Sequence, residues 1–183
     1  IAGRDTFAIN YAAGKTVDIQ KMDAVTGGVY ADPAAGDSNT YVRYGTESWN
    51  TLVANADITI PPGTFDPEPY DLNGSCDLSK ANNWGEPLRS GTGLVPSCND
   101  YFPIIYASGT VKLTKGRGQG ILLVNGDIQL AGNFQWFGLI IARDDITKGN
   151  GTFDMWGSIM SRNANVQDDN DIVGKIGRAS CRE

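Results

Sequence analysis

Between Pro103 and Val173 the chain repeats itself with a period near 18 residues, and this constrains the fold more than any other feature. Gly132-Asn-Phe-Gln-Trp-Phe-Gly-Leu-Ile-Ile-Ala-Arg-Asp144 matches Gly151-Thr-Phe-Asp-Met-Trp-Gly-Ser-Ile-Met-Ser-Arg-Asn163 at an offset of 19. Gly, Phe, Gly, Ile and Arg recur in register, Phe137 meets Trp156, and Ile141 meets Met160. At an offset of 18, Gly120–Ile128 lies over Gly138–Ile146. At an offset of 17, Ser108–Leu113 lies over Asn125–Leu130.

A short apolar strand followed by a Gly-Asp or Asn-Gly turn, repeated at this period, points to a parallel β-helix. One coil cannot bury its own apolar row. Stacking coils at the inter-strand spacing of about 4.8 Å turns matching letters into a continuous core. Leu122, Ile140 and Ile159 are the expected interior column. An antiparallel sandwich with Asn125-Gly126 as a hairpin turn is the competing arrangement. It accounts for the turn but not for the three-way register. The expected architecture is therefore mainly β: a short parallel β-solenoid of about four coils over residues 103–173, with an N-terminal cap containing one helix.

Residues 1–60 form that cap. Phe7–Tyr11 and Val17–Ile19 are short apolar bursts broken by the turn signals Asp32-Pro33 and Gly36-Asp37. In residues 46–56, Trp49, Leu52, Val53 and Ala56 make one apolar stripe at helical spacing, with Thr46 as the expected N-cap and a short strand after it. Residues 61–102 read as one long, irregular connection rich in Pro, Asn, Gly and Ser. A loop of that length needs a staple. Cys76 and Cys98 both lie in it without metal-type CxxC spacing, and in an exported protein they would form a disulfide. In the cytosol they would be two unrelated reduced thiols.

Composition narrows the chemistry. There is no histidine, which removes the usual general base and the commonest metal ligand. The net charge is −6 with no basic stripe, which argues against nucleic-acid binding. No run of about 18 apolar residues occurs, so no transmembrane segment is expected. Nothing in the residues calls for a cofactor.

Four constellations remain. Asp127 and Asp145 fall at equivalent coil positions with Asp144 beside them. Stacking would bring two carboxylates to about 5 Å, the separation that retaining glycosidases use. Turns also favour Asp for backbone reasons, with Arg143 at hand to neutralise the acids. Phe134 over Phe153, and Phe137 over Trp156, would make two aromatic stacks. Buried they are core; exposed they are a platform for a sugar. Trp136 aligns with no aromatic and is expected to be the exposed ring. A carbohydrate-binding or carbohydrate-cleaving β-helix using Asp127, Asp144, Asp145 and Trp136, with a glycan as ligand, is the alternative to a non-enzymatic chain. Asp168, Asp169 and Asp171 could offer oxygens to Ca²⁺ but lack EF-hand spacing, so the expected reading is a solvated acidic turn and no metal site. Gly116-Arg-Gly-Gln-Gly120 superficially suggests a phosphate loop, but the residues after it read as a strand rather than a helix.

Lys175–Glu183 breaks the apolar rhythm and resembles the conceptual translation of a sequencing adapter. Residues 174–183 are therefore expected to be an artefact at the end of a truncated metagenomic reading frame. The start at Ile1, without a signal peptide, gives the parallel expectation that an upstream region is missing.

Three segments together resemble bacterial pilus-assembly proteins of the PilX type and similar type IV pilin-like envelope proteins. They are Asn82-Asn-Trp-Gly-Glu-Pro87, Asn99-Asp-Tyr-Phe-Pro-Ile-Ile-Tyr106 and Gly118-Gln-Gly-Ile-Leu-Leu-Val-Asn-Gly-Asp127. The likeness covers roughly residues 40–173. It implies a cell-envelope or extracellular address, reached through an N-terminal hydrophobic helix that this chain lacks. It also implies protein partners in the pilus or envelope, and a structural role without catalytic residues.

Overall fold

The computed structural model describes Ile9–Tyr11, Val29–Ala31, Arg43–Tyr44 and residues 46–87, 95–161 and 163–165. The first two segments, β1 (Ile9–Tyr11) and β2 (Val29–Ala31), pair in parallel. β3 (Arg43–Tyr44) and β4 (Glu47–Ser48) form a small antiparallel pair that leads into helix α1 (Trp49–Ala54). Ser48 caps this helix: its hydroxyl accepts a hydrogen bond from the Thr51 N–H at 3.1 Å. The expected helix was longer and capped by Thr46. In the structure Thr46 lies in the turn before β4, and Ala56 lies beyond the helix.

The rest of the chain winds into a parallel β-solenoid of two five-stranded sheets. One sheet stacks β5 (Ile58–Ile60), β9 (Ile104–Ala107), β11 (Gly116–Val124), β13 (Phe134–Ala142) and β15 (Phe153–Met160). The other stacks β6 (Gly63–Phe65), β10 (Val111–Leu113), β12 (Ile128–Leu130), β14 (Asp145–Lys148) and β16 (Asn163–Asn165). Every neighbouring pair in both sheets is parallel. Three full coils, beginning at β11, β13 and β15, come after two shorter rungs. The first short rung was not expected: residues 58–65 belong to the solenoid, upstream of the anticipated start at 103.

The register obeys the repeat. Phe134 pairs with Phe153, Gly138 with Gly157 and Ile141 with Met160. Gly120 pairs with Gly138, and Val111 with Ile128. Leu122, Ile140 and Ile159 form one inward column, continued by Ile105 below. Val111, Ile128 and Ile146 form another. Burying each such side chain contributes about 1.5–3 kcal/mol, so the columns hold the coils together. The long strands turn a corner near Gly138, whose φ is +133°. A Cβ there would stand 2.1 Å from the Gly120 carbonyl oxygen on the rung below.

The outside of the first sheet is also covered. Trp49 of α1 packs with Leu123 and Ile141, and meets the Tyr106 ring edge-on at 6.4 Å. Arg143 lies 5.8 Å above the Trp49 ring.

Candidate functional site

Residues 66–103 interrupt the winding between β6 and β9. Their described part is not featureless. It contains a hairpin, β7 (Asp71–Leu72) and β8 (Ser75–Cys76), and a 3-10 turn, Pro96–Cys98. Cys76 and Cys98 are joined as a disulfide. Asn83, wholly buried, donates from Nδ2 to the Asp77 carbonyl at 2.9 Å and lies 3.2 Å from the Cys76 sulfur, while its Oδ1 accepts from the Gly85 N–H at 3.1 Å. The Ser97 hydroxyl and the Gly74 N–H both donate to the Asp71 carboxylate and hold it below the ordinary carboxylate range. The Ser79 hydroxyl and N–H do the same for Asp77.

The insertion then docks on the first full coil. Trp84 enters the interior above Gly118, meeting Trp136 edge-on at 6.2 Å and Phe65 at 6.1 Å. A Cβ on Gly118 would lie 2.9 Å from the Trp84 Cβ, so glycine at this inward position makes room for the ring. On the outer side of β11, Arg117 Nε donates to both carboxylate oxygens of the wholly buried Glu86, each at 3.0 Å. Two residues on, the buried Gln119 donates from Nε2 to the carbonyls of Asn99 at 2.7 Å and Tyr101 at 2.9 Å. Backbone bonds finish the seam: Arg117 N–H to Pro67 and Gln119 N–H to Trp84. The strand expected after Gly116–Gly120 already begins at Gly116, so the run is itself part of β11, and its two polar side chains hold the insertion. Sequence patterns alone missed Glu86, Arg117, Asn83 and Gln119 as a group.

The aspartates named from sequence sit at the turn between the two sheets. Asp127 and Asp144 are exposed and Asp145 is half-buried. The Asp127 carboxylate accepts a hydrogen bond from the Asp145 N–H at 3.0 Å, and Thr110 Oγ1 accepts from the Asp127 N–H at 3.3 Å. This makes a side-chain ladder in which each turn caps the next rung. Arg143 Nη1 donates to Asn125 at 3.3 Å.

The aromatic expectations divide. Phe134 and Phe153 stack inside the core at 5.9 Å, with ring planes 4° apart. Phe137 points outward and meets Phe102 edge-on at 6.3 Å. Trp136, expected to be exposed, is fully buried. Side chains alternate along β13, and residue 136 shares the inward face with Phe134.

Asp168, Asp169 and Asp171 lie outside the described residues, as do residues 174–183. Among the described residues no group of three or more His, Cys, Asp or Glu side chains is arranged to hold a metal ion, and no helix is long and apolar enough to cross a membrane. The fold and site together define a short parallel β-solenoid carrying a disulfide-clamped insertion. Comparison with protein-family models, curated proteins and solved structures finds no match to this chain.

Proposed function

We propose that this chain is a non-enzymatic structural or interaction domain of an exported protein, associated with a pilus or the cell surface, whose partners are other pilus or envelope proteins. The observation that carries the reading is the clamp. A disulfide, a buried carboxylate–guanidinium pair and two buried amides are all used to fix one insertion onto a stack of coils. Disulfides persist in oxidising compartments and are rare in the cytosol, which supports export. Glu86, Arg117, Asn83 and Gln119 hold the scaffold rigid, and Asp127 spends a lone pair on a backbone N–H. These polar groups serve the architecture of a firm display surface. The pilus association rests on the sequence resemblance.

The test is fractionation of the source bacterium, with free thiols blocked at lysis. The protein should appear in envelope or sheared-surface fractions, with Cys76 and Cys98 protected from a maleimide until reductant is added. Recovery from the cytosol with both thiols reactive would contradict the proposal.

A further inference from the structure

The β7–β8 hairpin carries a feature that the clamp does not use. Its tip is Asn73-Gly74, with φ of 55° and 83°, and the next residue is Ser75. Asn73, Gly74 and Ser75 are all exposed. Asn-x-Ser with x other than Pro is the acceptor sequence for N-linked glycosylation. Two of the large apolar side chains that stand most open to solvent lie on either side of this hairpin tip: Leu72 is 57% and Leu78 is 63% exposed. Neither contributes to the core.

The structure assigns Asn73 as an N-glycan acceptor, with an attached oligosaccharide shielding the apolar flank of the hairpin. This rests on the export reading, because such transfer occurs outside the cytosol. The co-reactant is a polyprenyl-diphosphate-linked oligosaccharide. Asn73 Nδ2 attacks the anomeric carbon, the Nδ2–C1 bond forms, and the C1–O bond to diphosphate breaks. The polyprenyl diphosphate leaves with the bonding electron pair, and one Nδ2 proton passes to base. No oxidation state changes.

Asn150-Gly-Thr152 is a second exposed acceptor sequence and serves as an internal control. The two differ two residues ahead of the acceptor: Asp71 stands there in one, Lys148 in the other. A transferase pocket that reads a carboxylate at that position takes Asn73 and rejects Asn150. In the folded chain both Asp71 oxygens are engaged, by Gly74 N–H at 2.9 Å and Ser97 Oγ at 2.6 Å. Transfer therefore occurs on the chain before the insertion closes.

The experiment is expression of the full chain behind a cleavable export leader, in a bacterium supplied with a bacterial oligosaccharyltransferase and its lipid-linked donor. Intact-mass measurement should show addition of one glycan. Asn73→Gln should abolish it, Asn150→Gln should leave it unchanged, and Asp71→Asn should lower occupancy several-fold. Exported, disulfide-bonded protein without any added glycan would overturn the assignment, as would a glycan retained in Asn73→Gln. The leader supplies export here, so a negative result leaves the native export reading to the fractionation test.

Discussion

Gly138→Ala adds one methyl group at the corner where consecutive coils touch, and the cost can be worked from two terms. Gly138 has φ of +133°, a conformation that costs a residue with a side chain about 1–3 kcal/mol. The new Cβ would also stand 2.1 Å from the Gly120 carbonyl oxygen and 3.0 Å from Phe102 Cζ. Relief requires the rungs to part locally. That stretches ladder hydrogen bonds beyond their working range, at about 1 kcal/mol for each bond lost. Two or three such bonds bring the total to about 3–6 kcal/mol, which for a chain of this length lowers the melting temperature by on the order of 10 °C. The control is Gly74→Ala, where φ is +83° and nothing lies within 4 Å of the new atom, so only the conformational term of about 1 kcal/mol applies. Thermal unfolding by circular dichroism, with urea unfolding read by tryptophan fluorescence, measures both; Trp84 and Trp136 are fully buried and report the core. Equal losses in the two variants would refute the claim that Gly138 is pressed against the rung beneath it.

Other outcomes rest on the same geometry. Replacing Cys76 and Cys98 together by Ser should cost about 3 kcal/mol, the loop-closure value for the 22-residue separation, measured as a shift of the urea midpoint. Glu86→Leu should destabilise by about 3–5 kcal/mol, because it leaves the Arg117 charge poorly paired in a largely buried site; limited proteolysis should then cut first within residues 66–103. Asp127→Ala should cost about 1 kcal/mol by removing the hydrogen bond from the Asp145 N–H, while Asp127→Asn keeps the bond and much of the stability. Burial pushes the Tyr44 phenol up to about 12, against the opposing pull of Arg143. The folded state therefore holds that proton more tightly than the unfolded chain, and its stability contribution, complete below pH 10, is lost as pH rises towards 12. Tyr44→Phe should flatten the decline in urea midpoint over that window.

The solenoid was legible because stacked parallel strands place like side chains in contact, so the register is written into the chain at offsets of 17, 18 and 19. Phe134 with Phe153 and Leu122 with Ile140 came directly from it. The first rung was not legible: Ile58 pairs with Ile105, 47 residues away, and the insertion hides the period. Trp136 was misplaced for a related reason. Its register neighbours are Gly118 and Met155, and of the rings packed against it Phe134 comes from its own strand and Trp84 from the insertion, neither from an adjacent coil. Strand alternation with Phe134 carried the signal for an inward ring. The Glu86–Arg117 pair spans 31 residues and joins a segment without periodicity to a strand, so no local pattern announces it. The disulfide was readable from two cysteines in one polar loop. The Asp127 ladder was half-readable: its rung-to-rung alignment was expected, and its use as a backbone cap depends on the direction of one N–H.

Methyl–methyl nuclear Overhauser contacts offer the most direct measurement of coil stacking. In protein labelled at Ile and Leu methyls, Ile140 should show cross-peaks to both Leu122 and Ile159, while Leu122 and Ile159, two rungs or about 10 Å apart, should show none to each other. Absence of the Ile140 contacts, or a direct Leu122–Ile159 contact, would contradict the parallel winding on which the clamp and the turn ladder depend.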